Sequence, residues 1–260
     1  MKAMQCEETI SRKIRNYFNL DAKLQEGSRQ IITDYFNDSL LICDMEDSAT
    51  QKRLFNKSLE SLSQLYSPIV INECKPNKNR KLIISNHIGL AKLFKFQLTK
   101  LNKNFNDLIN NDPFHFILLG PYSYTQMFDN ELVPVFTQFQ YPSSTVFKNL
   151  GFIQIDRQTN GNYSQLHSKV RLTLNDDMKS VICLYPEGGT SGKRSNETIY
   201  SLEPFKNGYL NLAKQLNLDL ICCTQVFHTT GKFIVHLKNE VHSIRPFMQE
   251  KIKELLSYED

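Results

Sequence analysis

The stretch Val181-Ile182-Cys183-Leu184-Tyr185-Pro186-Glu187-Gly188-Gly189-Thr190-Ser191-Gly192-Lys193-Arg194-Ser195 runs from a short apolar segment straight into a loop of glycines, hydroxyls and cations. An apolar run of this length bounded by turn residues is the pattern of a strand buried on both faces. The loop invites comparison with the phosphate cradle GxxxxGK[ST], in which backbone N–H groups and a lysine hold a nucleotide. Setting Gly192-Lys193 on the GK of that motif puts Glu187 where its first glycine belongs and Arg194 where its metal-binding hydroxyl belongs. The serine-hydrolase elbow GxSxG also fails, because Gly189-Thr190-Ser191-Gly192 has the wrong spacing. What remains is a buried strand delivering a flexible, cationic loop to one end of a sheet.

Working outward, similar apolar runs alternate with helical patterns. Leu82-Ile83-Ile84, Phe116-Ile117-Leu118-Leu119, Phe152 to Ile155, Val181 to Tyr185, Leu220 to Phe227 and Phe233 to Leu237 read as strands. Residues 89–101, 142–150, 162–176 and 204–216 read as helices between them, and Pro246 opens a last one. This interleaving predicts an α/β domain with a mainly parallel central sheet flanked by helices. Upstream, Ile10, Ile14, Tyr17 and Phe18, then Ile31, Ile32, Tyr35, Phe36, Leu40 and Leu41, recur at helical spacing. The expected organisation is an N-terminal helical segment, residues 1–70, packed on an α/β domain, residues 71–260, after the turn-rich Lys75-Pro76-Asn77-Lys78-Asn79-Arg80.

Composition excludes several classes. With 260 residues, 40% hydrophobic and 22% charged, the chain is long enough to bury a full core. A net charge of +4 is too small for a dedicated nucleic-acid binder and suits an anionic substrate or membrane surface. The six cysteines, Cys6, Cys43, Cys74, Cys183, Cys222 and Cys223, form no CxxC pair and read as reduced thiols of a cytosolic protein. No apolar run approaches the roughly 20 residues of a membrane span, and the start lacks a signal peptide's apolar core, so any membrane contact is expected to be peripheral. His115, His167, His228, His236 and His242 show no metal-ligand spacing, and no metal is expected.

In a parallel sheet functional groups gather beyond the carboxyl ends of the strands. Here those ends carry Asn86-His87, Asp156-Arg157 and Pro186-Glu187-Gly188. A histidine titrates near neutrality and can take a proton from a hydroxyl; an arginine clamps phosphate; glycines let backbone N–H groups approach an oxyanion. Arg157 also reads as a surface ion pair with Asp156, and Glu187 as a helix cap.

The ordered blocks Asn86-His87, Gly151-Phe152-Ile153-Gln154-Ile155-Asp156-Arg157, Tyr185-Pro186-Glu187-Gly188 and Phe205-Lys206-Asn207-Gly208 resemble the glycerolipid acyltransferase superfamily, which includes lysophosphatidic-acid and lysophosphatidylcholine acyltransferases. The likeness covers residues 80 to 230 and looks closest to the lysophosphatidylcholine branch. It implies that His87 is the general base on an acceptor hydroxyl, with Glu187 beside it shaping the acceptor and oxyanion side. It further implies that Arg157, Gly188, Ser191, Lys193, Arg194 and Lys206 bind the acceptor's phosphate. The donor would be acyl-CoA or acyl carrier protein as co-substrate, with no cofactor, and the acceptor a lysophospholipid or glycerol-phosphate-like alcohol at a membrane surface. The expected location is cytoplasmic.

Two departures stand out. The family's H-x4-D block reads His87-Ile88-Gly89-Leu90-Ala91-Lys92, with a cation where the aspartate supports the imidazole. Glu187, Asp112 or Asp129 are candidate substitutes for it; the alternatives are an enzyme that runs slowly without one and a catalytically inactive member that binds lipid, acyl carrier or a protein partner. The strand that reads near V-P-V in relatives is Cys222-Cys223-Thr224-Gln225-Val226 here.

Overall fold

The computed structural model describes residues 47–88, 118–137, 148–155, 162–177, 179–189, 191–192, 195, 198, 200–227 and 233–258. Its elements run α1 (Ser48–Tyr66), β1 (Ile69–Glu73), β2 (Lys81–Ser85), α2 (Leu119–Phe128), β3 (Glu131–Thr137), β4 (Ile153–Ile155), α3 (Asn162–Asp176), β5 (Ser180–Leu184), α4 (Gly208–Gln215), β6 (Asp219–Phe227), β7 (Phe233–Asn239) and α5 (Ile244–Leu256). The strands form a seven-stranded sheet in the order β1-β7-β6-β2-β5-β3-β4. All pairings are parallel except β6 with β7. The α/β class with a mainly parallel sheet, expected from the interleaved pattern, is therefore the observed one.

The central strands are largely apolar because helices cover both faces. Leu82, Ile84, Ile182, Cys222, Val226, Ile234 and residues of α3, α4 and α5 join one buried cluster. The alternate residues face α2: a Cβ on Gly120 of that helix would lie 2.9 Å from Cys223 Sγ. The period-two alternation of a strand thus assigns neighbouring cysteines to opposite layers. Cys74, Cys183, Cys222 and Cys223 are free and buried, and burial pushes the thiols of Cys74, Cys183 and Cys222 up to about 12.

Three differences from the expected elements have local causes. Phe116 to Leu119 reads as a strand, yet Leu119 opens α2, because Gly120-Pro121 lies within a first helical turn that needs no intrahelical donors. Strand β3 was not expected, since Pro134 interrupts Glu131-Leu132-Val133-Pro134-Val135-Phe136-Thr137. It pairs with β5 over Glu131–Pro134 and with β4 only from Val135 onward, so the proline sits where the strand changes neighbours. The five-residue edge strand β1, half exposed, shows no alternation strong enough to read, and it straddles the boundary at residue 70. The two helical patterns before Asp47 and residues 89–101 lie outside the described residues.

Helix α1 is fixed at its start by Asp47, whose carboxylate accepts from the N–H groups of Ala49 and Thr50 at 3.3 and 3.0 Å. It reaches the main domain through Phe55, edge-on to Phe152 with centroids 5.1 Å apart, and through an ion pair between Lys52 and Glu131.

Candidate active site at the carboxyl rim

Strands β2, β5 and β6 are parallel neighbours, so the segments following β2 and β5 emerge side by side. The ladder between β2 and β6 extends to Ser85 opposite Cys223. Beyond it the carboxamide of Asn86 replaces a backbone peptide: its Nδ2 donates to Gln225 O at 2.9 Å, and Gln225 N–H donates to its Oδ1 at 2.9 Å. Only a side chain carrying both a donor and an acceptor makes this pair, which is why asparagine suits the position and aspartate does not. The main chain is thereby released from the sheet one residue before His87, which stands half-buried at the rim.

The loop after β5 clasps that histidine. Glu187, fully buried, accepts the backbone N–H of His87 at 3.0 Å on Oε1, and Ser191 N–H donates to His87 O at 2.9 Å. Glu187 also accepts Ser191 Oγ–H at 2.7 Å and, on Oε2, Glu203 N–H at 2.9 Å. Burial holds Glu187 above the ordinary carboxylate value of 4.5, while the donors from His87, Ser191 and Glu203 pull the other way. The His87 ring lies edge-on to Tyr185, centroids 5.3 Å apart.

A third segment locks the clasp. Lys206 N–H donates to Pro186 O at 3.0 Å, and Glu203 Oε1 accepts Ser195 N–H at 3.0 Å. From α5, Arg245 Nη2 donates to Leu202 O at 2.7 Å and its Nε to Glu203 O at 3.1 Å. Gln249 bridges the same segment, accepting Leu202 N–H at 2.9 Å and donating to Tyr200 O at 3.1 Å.

The structure therefore brings His87, Glu187, Gly188, Ser191 and the backbone of Lys206 together. Gly188 takes φ +65°, a conformation that favours glycine, and spends its N–H on Tyr185 O at 3.0 Å. Ser191, expected among the phosphate ligands, is fully buried with its N–H and hydroxyl both donating inside the fold. Those two bonds tie the loop to His87 and to Glu187. The Lys206 residue is exposed beside the same turn. Arg157, Lys193 and Arg194 lie outside the described residues, as do Lys92 and Asp112.

One proposed substitute for the dyad aspartate is corrected by its position. Asp129 closes α2 in a left-handed conformation and pairs with Lys179 at 2.6 Å on the exposed surface. It precedes the start of β3, at the rim opposite His87, because Glu131 is in register with Ser180 at the start of β5. Among the described residues no group of three or more His, Cys, Asp or Glu is placed to hold a metal ion, and no helix is long and apolar enough to cross a membrane.

Residues 132–250 match the family model described as Acyltransferase. The matched segment includes three of the four sequence blocks, holds Glu187, Gly188, Ser191 and Lys206, and begins after Asn86-His87. Among solved structures, the chain is similar to the crystal structure of the 1-acyl-sn-glycerophosphate (LPA) acyltransferase PlsC from Thermotoga maritima, with 12% identity and a TM-score of 0.47 over 98% of this chain and 99% of that chain. No curated protein matches the chain.

Sequence reading missed Gln225 and Glu203. Gln225 carried one signal, a long polar side chain inside an otherwise apolar strand; Glu203, which meets Glu187 through its backbone, carried none.

Proposed function

We propose that this protein is an O-acyltransferase that moves a fatty acyl group from a thioester, on acyl-CoA or acyl carrier protein, to the hydroxyl of a lysophospholipid or glycerol-phosphate-like acceptor. The observation that carries the reading is the clasp of His87 by Glu187 and Ser191 at the rim of an acyltransferase-family domain. In this reading His87 accepts the proton of the acceptor hydroxyl as its oxygen attacks the thioester carbonyl, and returns a proton to the departing thiolate. Fixing both backbone groups of His87 restricts where its ring can reach, which is the orienting contribution of a rigid base. Arg157, Lys193, Arg194 and Lys206 supply cations for the acceptor's phosphate. The enzyme works at a cytosol-facing membrane surface without inserting into it.

Lys92 supports a second reading. A lysine in the place of the aspartate cannot itself accept an N–H, and this favours an inactive member that retains lipid or carrier binding.

Free-thiol release separates the two. Purified protein given acyl thioester and lysophospholipid is expected to liberate thiol, and His87→Ala to abolish the release. No turnover across a broad panel of donors and acceptors, with lipid still bound, would establish the inactive reading.

A further inference from the structure

We propose that Gln225 is a positioning residue for His87, acting through Asn86 from the side of the sheet opposite the Glu187 clasp. The inference rests on the acyltransferase reading for its kinetic consequence but not for its structural one. Gln225 is fully buried in β6 and its side chain bonds to three residues of two other segments. Its Nε2 donates to Ser85 Oγ at 3.2 Å and to Asn86 O at 3.1 Å, and its Oε1 accepts Gly120 N–H at 3.1 Å. The backbone of the same residue exchanges the two bonds with the Asn86 carboxamide. Asn86 is thus held at its side chain and its carbonyl by one residue, and its carbonyl carbon is bonded to the nitrogen of His87.

Gly120 explains why the arrangement is tight. Helix α2 has a leucine at its N-cap, with no side-chain cap bond, and Pro121 lacks an N–H, so Gln225 Oε1 serves the orphan donor between them. A Cβ on Gly120 would sit 2.7 Å from that oxygen, so only glycine permits the approach. The peptide joining Asn86 to His87 is consequently fixed at both ends. Gln225, in β6, holds its carbonyl and Glu187, in the loop after β5, its N–H, and those two strands flank β2.

Three variants and two readouts test this. Gln225→Met keeps the volume and removes every side-chain hydrogen bond. Gln225→Glu keeps an acceptor for Gly120 but loses the donor to Asn86. Ser85→Ala is the mild variant, removing the Ser85 acceptor and the long 3.4 Å bond that its hydroxyl donates to Asn86 O. With folding checked by circular dichroism, Gln225→Met and Gln225→Glu are expected to lose about 10- to 100-fold in kcat with KM for donor and acceptor nearly unchanged, as for a misplaced catalytic group. NMR of ring-labelled histidine, with the His87 signals assigned by their loss in His87→Ala, is expected to show those signals shifted in both variants and less so in Ser85→Ala. The His167 and His242 signals are expected to stay in place. Wild-type kcat in a folded Gln225 variant overturns the proposal. So do unshifted His87 signals in Gln225→Glu and Ser85→Ala, even if Gln225→Met does not fold. Absence of turnover in the wild type defeats the acyltransferase reading instead, and the ring signals still decide the role of Gln225.

Discussion

Glu187 illustrates how a residue placed at the site by sequence acquires a different office in three dimensions. The PEG block and the strand-end rule were enough to bring it beside His87, but its partners, the backbone N–H groups of His87 and Glu203, belong to other segments and leave no mark on their side-chain pattern. Gln225 was hidden for the same reason. A buried carboxylate serving several donors is costly to neutralise on one oxygen, because glutamine turns an acceptor into a second donor facing a donor. Glu187→Gln is therefore expected to destabilise the fold by about 1–3 kcal/mol in urea denaturation and to lower turnover with it. Equal stability of the two proteins would mean that the clasp is not formed in solution. At the far edge of the sheet, Glu73 accepts from His236 Nε2 at 2.9 Å and from Lys238 Nζ at 2.6 Å, which in that order hold its carboxyl down to about 2. Burial keeps His236 below its ordinary 6.5, while its bond to Glu73 pulls the other way. A depressed folded value gives stability that is present above the unfolded value of 4.5 and lost as pH falls through about 2. The effect is small because the Glu73 side chain is 43% exposed and screened by salt. Glu73→Gln is expected to flatten the acid limb of a stability–pH curve between those values, and an unchanged limb would refute the assignment.

At the scale of elements, legibility followed the strength of the period. Helix α3 was expected at 162–176 and is found there, because Leu166, Val170 and Leu174 recur every fourth residue on its buried face. The strands β2, β5 and β6 were recognisable as apolar runs because the sheet buries both of their faces. The N-terminal half of FILLGP was not separable from a strand by apolarity alone, and only the Gly120-Pro121 pair distinguished a helix start. Strand β3 needed knowledge of its neighbours, since a proline is excluded from a ladder only where a partner demands its N–H. Helix α5 has the plainest consequence for stability. It buries Ile244, Met248, Ile252 and Leu255 against the same layer as β6, while its Arg245 and Gln249 hold the 200–203 segment that supports Glu187. Met248 is completely buried, so Met248→Ala is expected to cost about 2–5 kcal/mol, read as a lower midpoint in chemical denaturation. A loss under half of the lower figure would mean that the layer closes over the gap.

For the molecule as a whole, the rim that holds His87 and the rim that holds the chain together are opposite ends of one sheet. Residues Cys74–Arg80, which the sequence marks only as a break, cross beneath β7 and β6 as a strap sewn down by side chains. Lys75 N–H and O pair with the Asn239 carboxamide at 3.1 and 2.9 Å, Asn77 N–H donates to Asp219 Oδ2 at 2.9 Å, and Asp219 N–H donates to Arg80 O at 2.8 Å. Strand β1, just before the strap, has β7 as its neighbour in the sheet, with Ile69 in register with Ile234. This arrangement sets an order of events during synthesis. A ribosome that has released β1 must still make most of the protein before the strand's partner exists, and contacts so distant in sequence close late. Pulse-labelled hydrogen exchange during refolding is expected to protect the amides of Ile69–Glu73 after those of β6 and β7, and protection of β1 first would contradict it. The earliest residues of the sheet are thus the last to be enrolled in it, and a nascent chain stalled before β7 would display β1 as an unpaired strand edge to whatever chaperone or neighbour is near.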